Sequence, residues 1–322
     1  MKVSFVIPCY RSVETLPSVV KEIKDTMKEM GNYEYEIIMV NDCSPDDTFG
    51  TIQKIVAEQP ATSFGDNCTG MLGLSLAKNF GQHSALMAGF HEVSGDVVVC
   101  LDDDGQTPAC EVGKLLQEIE NGHDVVYAKY AHKQHSGFRN FGSKVNELMT
   151  RVMLGKPKGL YVSSYFAAKR FVVDEMMKYT YAYPYVIGLV LRTTKDIVNV
   201  DINHRNREIG QSGYTFSKLM SLWFNGFTAF SVKPLRIATA AGATCAILGF
   251  IYGIYTIIKK LVIKPDGLIT GFSALMSVLV FMGGLILLMM GLVGEYMGRM
   301  YISMNNSPQF VVAKRTDEDD AQ

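Results

Sequence analysis

The chain has 322 residues, with 31 Lys and Arg against 32 Asp and Glu, 48% hydrophobic residues and six cysteines. Length allows one large or two ordinary domains, and the near-zero charge balance excludes a globally basic nucleic-acid binder. Cys9, Cys43, Cys68, Cys100, Cys110 and Cys245 form no CxxC pair and no zinc spacing, which excludes a disulfide scaffold and fits a reducing compartment.

VSFVIP (3–8) predicts a short apolar strand, and Leu16, Val19, Val20, Ile23 and Met27 then mark one face of a helix. The opening MKVSFVIPCYR has an apolar run too short for a signal peptide, so the polar part of the chain is expected in the cytoplasm. EIIMVND (36–42) repeats the strand signal, followed by a helix carrying Phe49, Ile52, Ile55 and Val56 inward. GLSLAKN (73–79) is a weaker strand, a helix follows over about Gln82–Val93, and VVVCL is the next strand. Val112, Leu115, Leu116 and Ile119 mark a helix beginning near Pro108, and DVVYAK (124–129) another strand. Strands that are nearly all apolar, alternating with helices, predict a mostly parallel sheet covered on both faces.

Ligands of such sheets bind outside the carboxyl ends of the strands. The first strand ends at Pro8, the second at Asn41 and Asp42, and the fourth runs into CLDDDGQTP. No G-x-G-x-x-G follows the first strand and no G-x-x-x-x-G-K-[ST] is present, against a dinucleotide or P-loop site. Three adjacent carboxylates repel unless something positive neutralises them. Two readings remain at this point. The cluster is a solvated turn capping the helix after Pro108, or Asp102 and Asp104, with Gln106 as a neutral oxygen, hold Mg²⁺ or Mn²⁺ together with a substrate diphosphate. The edge position, shared with Asp42, favours the second. Tyr10 packing against its neighbours and Asp42 capping the helix near Pro45 stay open in the same way.

Farther on, FRNFGSKVNELMTRVML (138–154) has helical spacing that sets Arg139 and Ser143 four apart on one face. HRNREIGQS (204–212) supplies Arg205 and Arg207. The guanidinium fork suits phosphate, although a charged surface helix is the plainer reading of Arg139. His132 and His135 read as solvated, and His83 is given no chemistry. Residues 215–234, with Phe216, Leu219, Met220, Trp223, Phe227 and Phe230 at helical spacings, are either a membrane-interface helix or a helix packed on the sheet. Ile237–Ile258 and Ile269–Gly294 hold 22 and 26 residues without a charge, enough for two membrane spans. Lys218, Lys233, Arg236, Arg299, Lys314 and Arg315 flank them on the expected inner side, against Lys259, Lys260 and Lys264 in the loop between. Gly249 with Gly253, and Gly294 with Gly298, offer close helix packing. The terminal TDEDDAQ is expected to be disordered.

FVIPCY, VNDCSPDDT, LAKNFGQHSALMAGF, LDDDGQTP and REIGQS, in that order and followed by LVGEYMGRMY, resemble family 2 glycosyltransferases of GT-A fold. The resemblance spans nearly the whole chain. It is strongest to the polyprenyl-phosphate branch, which includes dolichyl-phosphate mannose synthases, bactoprenol glucosyltransferases and the undecaprenyl-phosphate aminoarabinose transferase. It implies a bacterial cytoplasmic-membrane enzyme with both termini inside, moving a sugar from a nucleotide sugar, UDP-linked by expectation, to undecaprenyl phosphate for cell-envelope glycan modification. The layout it implies is a catalytic domain over 1–213, interfacial helices over 214–235, spans near 237–258 and 269–294 within 236–296, and a cytoplasmic tail over 297–322, in a homo-oligomer.

By the same resemblance Pro8, Tyr10 and Glu14 line the nucleobase, Asp42 reads it, and Lys78, Asp102 and Asp103 join the nucleotide-sugar set. Asp102, Asp104 and Gln106 hold the metal, Mg²⁺ or Mn²⁺. Lys129, Arg139, Ser143 and Arg205 take the acceptor phosphate, and Arg207 meets the leaving diphosphate, so that Asp104, Arg139 and Arg207 carry the catalysis. The chain departs from the family pattern at VSSYFAAKR (162–170), where an acidic residue and F-R are usual and the segment faces the sugar, at Gly213 for Lys, and at Arg11 for Asn. The alternatives are a non-catalytic scaffold or flippase partner keeping the fold, or a polysaccharide synthase. The synthase lacks support because its Q-x-x-R-W is missing and the single tryptophan sits in SLWFN.

Overall fold

The computed structural model of the chain describes residues 1–58, 67–130, 151, 155–203, 233–263, 272–305 and 307–318. The chain divides into two compact units, Met1–Thr215 with Asn306–Gln322, and Phe216–Asn305. The first contains β1 (Lys2–Cys9), α1 (Leu16–Met30), β2 (Glu34–Asn41), α2 (Thr48–Ala57), β3 (Cys68–Leu76), α3 (Gln82–Phe90), β4 (Val97–Cys100), α4 (Val112–Glu120), β5 (Val125–Tyr130), β6 (Phe166–Lys169), α5 (Arg170–Met177), α6 (Val186–Thr193) and β7 (Ile197–Ile202). The second contributes α7 (Lys233–Ile263) and α8 (Phe272–Met304), and the chain then returns to the first with β8 (Val312–Arg315).

Among the described residues eight strands form one sheet in the order β7-β5-β6-β4-β1-β2-β3-β8. β1 pairs in parallel with both β2 and β4, and β2 in parallel with β3. The sheet is not wholly parallel, because β6 runs antiparallel between β4 and β5, and β8 antiparallel to β3. On one face Phe5, Ile7, Ile37, Met39, Val97 and Val99 meet Leu16, Val19, Ile23 and Met27 of α1, Ile52 of α2 and Leu115, Leu116 and Ile119 of α4 in one buried cluster. On the other face α3 covers β1 and β2, and a Cβ at Gly89 would stand 2.4 Å from Val6 Cγ1, so the helix lies as near the sheet as a missing side chain allows. The chain moves from β1 outward through β2 to β3, then crosses back by α3 to β4 on the far side of β1. That reversal opens a crevice at the carboxyl ends of β1 and β4.

Several expectations change. The helix predicted from Pro108 is instead a 3₁₀ turn, Ala109–Glu111, leading into α4. The tail is not disordered through Glu318: β8 extends the sheet beyond β3, Arg315 forms a bidentate pair with Glu92 at 2.7 and 2.9 Å, and Thr316 Oγ1 accepts the Gly73 N–H at 2.9 Å. Four residues are too few to stand out in sequence, and only pairing with a distant strand makes them one.

In the second unit α8 contains an apolar stretch, Phe281–Ile302, long enough to cross a membrane by length and composition. The helix runs without a break through Glu295 and Arg299 to Met304, past the Gly294 limit set by charge. In α7 the apolar stretch is shorter, Ala238–Gly249. All six cysteines are free thiols.

Candidate active site

The crevice at the reversal point holds a cavity of about 480 Å³ lined by Pro8, Cys9, Tyr10, Asp42, Asn79, Gly81, Gln82, Asp102, Asp103, Asp104 and Ser164. Each wall follows from a strand end. β1 delivers Pro8 to Tyr10, β2 delivers Asp42, the β3–α3 turn delivers Asn79 to Gln82, and β4 runs out into the three aspartates. The capping reading of those aspartates fails, since neither the 3₁₀ turn nor α4 receives a side-chain cap.

The three carboxylates have different partners. Asp102 Oδ1 accepts from Gln82 Nε2 at 2.9 Å, and Oδ2 accepts from the Ser164 hydroxyl. Asp103 Oδ2 accepts from the Tyr10 N–H at 2.9 Å and from the Ser12 hydroxyl, tying the acid loop to the tip of β1. Asp104 Oδ1 accepts the backbone N–H of Gln106 at 3.0 Å, across a turn whose Gly105 has φ 70°, in the left-handed region that glycine tolerates. Burial pushes the Asp102 carboxyl up to about 6, with the Asp104 and Asp103 charges adding to it and the Ser164 and Gln82 hydrogen bonds opposing. Burial raises Asp103 as well, against its bonds from Ser12 and Tyr10. Among the described residues no Lys or Arg forms an ion pair with Asp102 or Asp103.

That arrangement fits a divalent cation on chemical grounds. Buried carboxylates whose charged form is disfavoured first by burial and then by mutual repulsion are relieved by positive charge. Among the described residues no three His, Cys, Asp or Glu converge on one point. Sites for Mg²⁺ characteristically use one or two carboxylates and let substrate phosphates and water complete the shell.

Asp42 does not cap α2, whose N-cap residue is Asp47 and receives no side-chain cap bond. Its two oxygens instead accept the N–H groups of Phe80 and Gly81 at 2.7 and 2.8 Å, fixing the turn into α3, and burial raises its carboxyl despite them. Tyr10 is 46% exposed and stands at the cavity mouth with the Arg11 guanidinium 5.6 Å from its ring centre. The expected residues therefore divide. Pro8, Tyr10, Asp42, Asp102, Asp103 and Asp104 share the cavity, whereas Glu14, Lys78, Gln106 and Lys129 do not line it. Glu14 is exposed, Lys78 lies 4.8 Å over the Phe80 ring, Gln106 offers its backbone N–H to Asp104, and Lys129 pairs with Asp201 at 3.3 Å. Arg139, Ser143, Arg205 and Arg207 lie outside the described residues. Gln82 and Ser164 were missed as partners of Asp102. Ser164 had a signal, because it sits in the segment that departs from the family pattern.

Arg11 has φ 60°, a left-handed conformation that Asn adopts more readily than Arg, and its N–H donates to Ser44 Oγ at 2.8 Å. Arg11→Asn is expected to stabilise the protein by about 1 kcal/mol. A rise of a few degrees in the thermal midpoint would show it, and an unchanged or lower midpoint would contradict it.

Residues 4–177 match the description Glycosyl transferase family 2, and residues 233–300 match the GtrB C-terminal hairpin. The undecaprenyl-phosphate 4-deoxy-4-formamido-L-arabinose transferase of Serratia proteamaculans is 33% identical to this chain, over 98% of it and 94% of its own length. Its counterpart in Photorhabdus laumondii is 32% identical over 97% of this chain and 94% of its own. Among solved structures, mannosyl-3-phosphoglycerate synthase from Rubrobacter xylanophilus aligns with a TM-score of 0.46 at 17% identity, covering 73% of this chain and 74% of that one. The first match spans more than half of the chain and ends just beyond the strand that brings Ser164 to the aspartates: the chain belongs to glycosyl transferase family 2.

Proposed function

We propose that the chain is an inverting glycosyltransferase that moves a sugar from a nucleoside-diphosphate donor, UDP-linked, to the phosphate of undecaprenyl phosphate, making a lipid-linked sugar for modifying cell-envelope glycans. The observation that carries this is the aspartate cluster facing the Pro8–Tyr10 strand tip across one cavity. A nucleotide placed there has its base against Tyr10 and its diphosphate toward Asp102 and Asp104. The relatives from Serratia proteamaculans and Photorhabdus laumondii, both undecaprenyl-phosphate transferases, supply the acceptor class.

Asp102 and Asp104 would hold Mg²⁺ or Mn²⁺, which when bound neutralises charge on a departing diphosphate. Gln82 and Ser164 orient the Asp102 carboxylate from both sides. Asp103 holds the β1 tip, and with it Tyr10, in register with the acid loop. Asp42 fixes the turn that presents Gln82. The acceptor phosphate has a second pKa near 6 and is already largely ionised at neutral pH, so no general base is required. Arg139, Ser143, Lys129 and Arg205 are assigned to holding that phosphate and Arg207 to the leaving diphosphate, by the family pattern and the match of Arg to phosphate geometry. With the hairpin as two spans, the catalytic unit and both termini lie on the cytoplasmic side, where nucleotide sugars are made.

Membranes containing the protein are expected to convert one of a panel of radiolabelled UDP- and GDP-sugars to an organic-extractable product, only with divalent metal. A folded protein that leaves every sugar in the aqueous phase overturns the proposal in favour of a non-catalytic scaffold.

A further inference from the structure

The segment between α5 and α6 reads KYTYAYPY, residues 178–185. Tyr181 and Tyr183 are 54% and 57% exposed, an unusual outlay of aromatic surface for a short loop. Gln309 and His83 help to anchor it. Buried Gln309 donates through Nε2 to the carbonyl oxygens of Tyr179 and Tyr181, both at 3.1 Å. Tyr185 packs edge-on against the His83 ring with centroids 5.1 Å apart, and His83 follows Gln82, the partner of Asp102. Tyr183 has φ 65°, a conformation that bulky residues avoid and that marks functional loops.

Placement follows from the topology. β6 runs antiparallel to β4, so α5 starts at the edge opposite the cavity, where the Arg170 N–H donates to Asp96 O at 2.8 Å. Eight residues of helix then climb about 12 Å, which returns the chain to the cavity edge at the tyrosine loop. We infer that Tyr181 and Tyr183 are a membrane-docking rim, seating the edge of the catalytic unit that carries the donor cavity in the lipid headgroup layer. Tyrosine suits that layer, with an apolar ring and a polar tip. Gln309 is five positions beyond Met304, where the helix with the apolar stretch Phe281–Ile302 ends, so the loop is tied to a residue close in sequence to that helix. The inference rests on the proposed lipid-phosphate acceptor, which must reach the cavity without leaving the bilayer.

The test uses the full chain in nanodiscs with Trp223→Phe, which removes the single tryptophan. Tyr181→Trp and Tyr183→Trp are each expected to lose about twofold in fluorescence when a headgroup-nitroxide phospholipid is included. Phe171→Trp, replacing a 47% exposed ring at the opposite edge, is expected to stay bright. Equal quenching at 171, 181 and 183 overturns the inference. Tyr181→Ser with Tyr183→Ser should raise KM about fivefold for a long-chain polyprenyl phosphate in vesicles, and leave KM unchanged for a short, water-soluble one. A rise for both acceptors makes the tyrosines part of the active site and overturns docking. Position-dependent quenching without transfer to either acceptor leaves docking standing and removes the proposed activity.

Discussion

Asp104→Asn is expected to lower kcat by at least about 10²-fold while leaving the fold intact. Asp104 lines the cavity beside Asp102, and its Oδ1 is already engaged by the Gln106 N–H. Asn keeps an oxygen for that bond, so the turn at Gly105 survives. What is lost is a negative charge in the pair that attracts a divalent ion. The effect should fall on turnover more than on the affinity of a nucleoside diphosphate measured without metal, because the charge acts on a developing leaving group. Steady-state kinetics with and without chelator read this directly. Undiminished turnover of Asp104→Asn in chelator would remove the carboxylate pair from the chemistry.

The second large effect concerns stability in the absence of metal. The Asp102 carboxyl, ordinarily at 3.8, lies at about 6 in the folded protein, principally through burial. The folded state therefore holds a proton that the unfolded chain has released. This contribution is complete below pH about 4 and is lost as pH rises toward about 6, amounting to as much as about 3 kcal/mol. Metal-free protein should thus lose stability across that window. Asp102→Asn, neutral at every pH, should lose the part of the slope due to Asp102, and Mn²⁺, by stabilising the ionised form, should raise wild-type stability at pH 6 and above and so shrink the fall between pH about 4 and about 6. Thermal unfolding in detergent at a series of pH values tests it. A variant with the wild-type slope would show that other groups, such as Asp42 and Asp103, carry the dependence.

The centre of the sheet was legible because physics at those positions is local. β1, β2 and β4 are buried on both faces, so each reads as a nearly unbroken apolar run, and α1 and α4 each show one apolar stripe. The cavity followed from where those runs stop, which is why Pro8, Asp42 and the aspartates could be grouped beforehand. The periphery was not legible. β6, with the sequence FAAK, and β8, with VAKR, have four residues each and gain strand geometry only from partners far away in the chain. The bonds of Gln82 and Ser164 to Asp102 span 20 and 62 positions. Spacing within a motif carries no record of such distances. Asp103, expected in the nucleotide set, lines the cavity, and its bonds run to the β1 tip across more than ninety positions.

The terminal strand has a consequence for biosynthesis. β8 pairs with β3 across more than two hundred residues, and α7 and α8 are translated in between. A nascent chain must therefore keep the β3 margin unpaired until the ribosome has passed the hairpin and reached Val312–Arg315, and such a margin invites intermolecular pairing. Quality control of this enzyme is thereby linked to translation beyond the hairpin: a transcript cut short after the hairpin would encode every aspartate of the cavity and still leave the sheet with an unsealed border.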